Sequence, residues 1–135
     1  MVTRYFVPAA YLVASLVNLT PIVGVISDMQ LLALYDIEQP AQDVALLMRH
    51  RAILFGIVGG LILAAVFKQE WRMLAAVAGL TSMLSFVALV FVLDHSSDTL
   101  TRLAWIDIGA SMILASGYLA SAKRVGTNSS TGRLS

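Results

Sequence analysis

The chain of 135 residues is 59% hydrophobic and 13% charged, with a formal net charge of +1 and a mean hydropathy of +0.83. Soluble domains carry about 25% charged residues, so a soluble fold of this composition would leave much apolar surface in water, whereas a bilayer removes the conflict. The lack of cysteine excludes disulfides, thiolate metal sites and dithiol redox chemistry, and the length gives room for one domain.

Four segments, 6–26, 44–67, 73–93 and 103–122, are apolar and long enough to span. About 20 helical residues at 1.5 Å each cross a hydrocarbon core of about 30 Å. Open strands are excluded, because in hydrocarbon every backbone polar group must be paired internally. The expected fold is an all-α membrane protein, a four-transmembrane-helix bundle over residues 1–122. Residues 123–135, polar and low in bulk, are expected to form a disordered cytoplasmic tail.

The first apolar run continues to Ile26, beyond the roughly 7–15 residues of a signal-peptide core, and reads as a retained helix. If Pro21 ended this helix, residues 6–20 would reach only about 22 Å. The helix is therefore expected to continue past Pro21 with a kink that frees the Val17 carbonyl beside Asn18 and Thr20. Ser27-Asp28-Met29-Gln30 has the form of a capping box, followed by Leu31, Leu32, Leu34 and Tyr35. That pattern predicts a short interfacial helix on the outer surface between helices 1 and 2. Pro40 suits the first position of helix 2.

Charge sets the expected orientation. Arg4, Lys68, Arg72, Lys123, Arg124 and Arg133 fall on one side with a single acid, Glu70. Asp28, Asp36, Glu38, Asp43, Asp94 and Asp98 fall on the other, where Arg49, Arg51 and Arg102 sit at helix edges. Positive loops stay cytoplasmic, so both termini are expected inside a bacterial-type inner membrane. Tyr5, Trp71 and Trp105 suit the headgroup region near helix ends.

Counting at 1.5 Å per residue from each cytoplasmic edge puts Asn18, Thr20, Arg51 and Asp107 about 21–25 Å up, with Arg49 at about 28 Å. Asp107 is the informative member, since an aspartate within a spanning helix is costly without a partner. Arg102, five residues away, lies roughly 140° around the same helix. The partner should therefore come from the Arg49-His50-Arg51 triplet. Arg49 lies on the small-residue face of helix 2, with Ala45, Ala52, Gly56, Gly59 and Gly60, while Arg51 better matches the height of Asp107. The sequence leaves the two open. Gly56 and Gly60 form a step that permits close helix approach, and Ser111 and Ala115 continue a similar stripe on helix 4. An Asp–Arg pair can pin two helices in register or line a ligand site. His50 and Asp107 are the candidates for acid–base work.

No zinc signature, phosphate loop or nucleophile elbow is present, and no metal or cofactor is expected. A haem shared by His50 and His95 is disfavoured by their heights, about 27 and 34 Å. The basic residues form no nucleic-acid face. Helix 1 carries no acid, unlike four-helix proton-coupled drug exporters, which rely on a glutamate there.

The segment His50-Arg51-Ala52-Ile53-Leu54-Phe55-Gly56, opening helix 2 after a Leu-Tyr-Asp loop, resembles a set of small four-helix bacterial inner-membrane proteins of unassigned function. Some of these carry the name phosphopantetheine adenylyltransferase. The soluble enzymes of that name resemble Rossmann-like α/β domains with a His-x-Gly-His motif, and this chain has neither. The resemblance implies a fold and draws attention to His50 and Arg51; it supplies no chemistry. The expected function is binding of a lipid, a quinone-like molecule or a partner helix in an outer-leaflet polar pocket, with a homodimer or partner membrane protein as an alternative use of the small-residue faces. The rival is a membrane-embedded enzyme acting on a lipidic substrate through His50 and Asp107.

Overall fold

The computed structural model describes the backbone of residues 2–25, 42–92 and 97–131 and the side chains of 5–22, 44–92 and 97–123. Among the described residues there are helices and no strands: α1 (Val2–Leu19), a 3-10 segment (Thr20–Val25), α2 (Gln42–Phe67), a 3-10 turn (Gln69–Trp71), α3 (Arg72–Val92) and α4 (Asp98–Thr131). Four helical stretches, Tyr5–Ile22, Val44–Phe67, Gln69–Val92 and Asp98–Lys123, are long and apolar enough to cross a membrane. The expected interfacial helix falls between residues 26 and 41, outside the described residues.

The helices form a four-cornered bundle in which each packs on its neighbours in chain order and α1 closes the ring against α4, while α1 and α3 barely meet across the diagonal. Direction alternates from helix to helix. The middle of α1, the end of α2, the start of α3 and the later part of α4 meet through Tyr11, Ala65, Arg72 and Ser121. The buried stripe of α1 (Val7, Ala10, Tyr11, Ala14, Ser15 and Asn18) follows the three-and-four spacing of one helical face. It meets Ile62 and Ala65 of α2, Ala75 and Met83 of α3, and Ala110 and Leu114 of α4 in one core. A smaller cluster, Phe86, Val90 and Ala104, lies between α3 and α4 at the opposite end.

Arg72 ties the first end together. The Ala65 carbonyl belongs to the last turn of α2, where carbonyls have no partner within the helix; Arg72 Nε donates to it at 3.3 Å. Arg72 Nη1 donates to Ser121 Oγ of α4 at 3.0 Å. The hydroxyl of Tyr11, a residue with no exposed surface, donates to the Arg72 carbonyl at 3.0 Å. Sequence reading counted Arg72 only as a loop charge; its side chain is half-buried and turned inward.

Close approach of α1 and α2 depends on Gly59. A Cβ there would stand 2.8 Å from Leu19 Cγ and 3.2 Å from the Leu19 backbone nitrogen, and Ser15 Oγ donates to the Gly59 carbonyl at 2.9 Å. Gly56 faces the same neighbour, with Ile22 Cδ1 at 2.5 Å from its virtual Cβ, whereas Gly60 has nothing within 4 Å. The contact thus uses the 56/59 pair rather than the 56/60 step. One residue beyond Gly59, Gly60 is turned about 100° away.

Three local features differ from expectation. The α-helix does not run past Pro21 with a kink but tightens into a 3-10 segment at Thr20. Pro21 has no N–H for the Val17 carbonyl, and a change of hydrogen-bond register resolves the loss. Asn18 and Thr20 donate back to the carbonyls of Ala14 and Leu16, at 3.0 and 2.9 Å, rather than to Val17. Helix α4 starts five residues earlier than 103, because Ser97 caps it: Ser97 Oγ accepts the Leu100 N–H at 3.3 Å. Helix α4 also continues to Thr131, where a disordered tail from 123 was expected. Extending a formed helix avoids the nucleation cost, so even Gly126 is tolerated. Residues 132–135 lie outside the described residues.

Gly59→Ala is expected to lower the thermal midpoint of the detergent-solubilised protein, by overpacking on the order of 1–3 kcal/mol, while Gly60→Ala leaves it unchanged. Equal effects of the two substitutions, read by size-exclusion after heating, would overturn the assignment of the contact face.

Candidate functional site

At the end opposite Arg72 the helices splay around a cavity of about 120 Å³, well above the 10–15 Å³ or so that holds one water. Val17, Asn18, Thr20 and Pro21 line it from the first helical stretch, Arg51 and Phe55 from α2, Phe86 from α3, and Leu103, Ile106 and Asp107 from α4. Every helix contributes, because each inner stripe runs out at this level. Asn18 is the last member of the buried α1 stripe, after Ser15, and Asp107 falls between Ala104 and Ser111 on the inner stripe of α4. Arg51 extends the Phe55–Val58–Ile62 stripe of α2 by one helical turn.

The walls are largely apolar, and three polar groups converge between them. Asn18 is 2% exposed. Its Nδ2 donates to the Ala14 carbonyl, which fixes the amide so that Oδ1 is the atom left over, and Oδ1 has no hydrogen-bond partner among the described residues. Arg51 is half-buried, with its guanidinium carbon 4.6 Å from the centre of the Phe86 ring and 5.1 Å from that of Phe55. Ring faces stabilise the cation without using its N–H donors. Arg51 is also the cation that acts electrostatically on Asp107. Yet no hydrogen bond or ion pair within 4.0 Å joins the two among the described residues. A second, shallower cavity of about 300 Å³ lies between α2 and α3, lined by Leu54, Val58, Ser82, Ser85 and Leu89. Arg51, Phe55 and Phe86 line both cavities, which are therefore adjacent.

Asn18, Arg51 and Asp107 are therefore brought together. Arg49, His50 and Arg102 do not line the cavity; His50 and Arg102 are exposed, and Arg49 is half-buried. The small-residue face that carries Arg49 packs on α1, where Leu19 and Ile22 occupy the space beside Gly59 and Gly56. Within the His50–Gly56 step, Arg51 and Phe55 line the cavity, Gly56 seats Ile22 and His50 points away. Asp107 lines the first of these two cavities, and His50 lines neither. Ser111 is 5% exposed and its Oγ has no hydrogen-bond partner among the described residues; Ala115 is partly buried. No group of three or more His, Cys, Asp or Glu that would hold a metal occurs among the described residues. Sequence reasoning missed Phe55 and Phe86 as the seat of Arg51. Their only signal is the four-residue spacing of Phe55 from Arg51.

A buried acceptor without a partner costs about 1–3 kcal/mol. Asn18→Leu removes that acceptor at similar volume, so it is expected to raise the thermal midpoint of delipidated protein. A fall of the midpoint would show that Asn18 is structural.

The chain matches no family model, no curated protein and no solved structure in the comparisons made with each, and geometry alone carries the reading of its function.

Proposed function

We propose that the chain is a multi-pass protein of the bacterial inner membrane, with both termini in the cytoplasm, that binds a lipid or quinone-like amphiphile in an outer-leaflet pocket. The observation that carries this reading is the meeting of Asn18 Oδ1, Arg51 and Asp107, none bonded to another, in a cavity whose remaining walls are apolar. Ligand sites have this character: an apolar lining with a few convergent polar groups that fix orientation. Intramembrane ionisable residues are functional candidates by default.

The alternatives fit less well. A partner helix, about 10–12 Å across, is too large for a cavity of about 120 Å³. Acid–base catalysis through His50 and Asp107 would require both at one cavity, and His50 is exposed elsewhere. Binding without chemistry is the reading favoured. The orientation is supported by the basic loop and tail at the Arg72 end, which sets the cavity toward the outer face.

Fused at its C-terminus, a green fluorescent reporter is expected to fluoresce in a bacterial host and alkaline phosphatase to stay inactive; the reverse pattern would overturn the orientation. Native mass spectrometry of protein extracted in mild detergent is expected to show a lipid-sized adduct. The adduct should fall at least about tenfold, roughly 1.4 kcal/mol, in Arg51→Gln and in Asp107→Asn. An adduct insensitive to both substitutions would place binding outside the cavity and sink the proposal.

A further inference from the structure

Resting on that reading, we infer that the pocket takes the zwitterionic head of an aminophospholipid, phosphate toward Arg51 and primary ammonium toward Asn18 Oδ1 and Asp107, with one acyl chain in the groove between α2 and α3.

The three polar groups state what an occupant must offer. Arg51 has guanidinium donors and no acceptor, and its seat on Phe55 and Phe86 leaves those donors for a ligand. A phosphate suits that fork. Asn18 Oδ1 and the Asp107 carboxylate are acceptors, so the other end of the ligand must carry N–H or O–H donors. A primary ammonium has three.

Opposite charges on the ligand match opposite charges on the walls. Arg51 and Asp107 line one cavity without closing to 4.0 Å, and a phosphate and an ammonium two carbons apart can bridge such a gap. An anionic phosphatidylglycerol head would offer hydroxyl donors to Asn18 Oδ1 but bring no positive charge to Asp107, and its net negative charge would face that carboxylate with like charge. A quaternary ammonium would neutralise Asp107 but bring no N–H to Asn18. A quinone presents only acceptors and satisfies Arg51 alone.

The chain has a place as well. The groove shares Arg51, Phe55 and Phe86 with the head cavity, and its other walls include Leu54, Val58 and Leu89. Leu54 and Leu89 are exposed on the outer surface of the bundle, where hydrocarbon would meet them. A chain there continues from the phosphate beside Arg51 directly toward the bilayer.

Titration of the delipidated full chain with dioleoyl phosphatidylethanolamine, phosphatidylglycerol or phosphatidylcholine, read by native mass spectrometry, tests this. Phosphatidylethanolamine is expected to bind at least about tenfold more tightly than either of the others. Asn18→Leu should bring it down to the phosphatidylcholine level, and Arg51→Gln should weaken both. Asp107→Asn provides a second variant with little change of shape, and should lower preference for the ethanolamine head. Water-soluble glycerophosphoethanolamine should compete poorly; competition equal to the lipid would overturn the membrane source of the ligand. If phosphatidylglycerol binds as tightly as phosphatidylethanolamine, and both are lost with Arg51→Gln, the zwitterion inference fails while the pocket stands. If no lipid distinguishes wild type from the substituted proteins, both readings fail.

Discussion

Arg72 is the contact on which the arrangement of the bundle depends. A membrane offers little hydrophobic drive for one apolar helix to choose another, because lipid tails are as apolar as leucine. Interhelical order must come from packing and from polar groups that cannot be satisfied elsewhere. Arg72 opens α3, covers a carbonyl at the end of α2, holds Ser121 of α4, and receives through its own carbonyl the hydroxyl of Tyr11 from α1. Each interhelical bond in a membrane is worth about 0.6 kcal/mol on average, so the gain is modest in energy. Its specificity is greater: one side chain and its backbone fix which end of every helix belongs together.

With that end fixed, the small residues set how the far end is built. Close contact at Gly59 holds α1 tightly to α2. On another face of α2, Arg51 and Phe55 are large, and with Phe86 of α3 they line two adjacent cavities. The polar cavity follows from the difference between the faces of α2, small at Gly56 and Gly59 against α1 and large at Arg51 and Phe55 beside the cavity, with the buried stripes of α1 and α4 continuing into polar residues at that level.

The number of helices, and their spans to within a few residues in most cases, could be read from the sequence, because apolar length against bilayer thickness is a strong constraint. The height of Asn18, Arg51 and Asp107 was legible for the same reason, since rise per residue is fixed. The choice between Arg49 and Arg51 was not. They project from different faces of α2, and which face meets which neighbour depends on the order of helices around the bundle, which no single helix encodes. Arg72 was hidden for a related reason: a basic residue in a short loop is ordinarily hydrated, and only the meeting of three other helices turns it inward. Ser97 was a missed local signal, a serine ahead of an aspartate at the start of an apolar run.

The 3-10 segment after Leu19 has a consequence for depth. A 3-10 helix rises about 2.0 Å per residue against about 1.5 Å in an α-helix, so the six residues of Thr20–Val25 advance roughly 3 Å further than they otherwise would. The proline that seemed to threaten the length of the first span instead lengthens it beyond Asn18. Asn18 and the cavity it lines thereby lie deeper beneath that end of the helix. On the reading proposed above, the donor for the Asn18 side-chain carbonyl comes with a ligand that can itself leave bulk water.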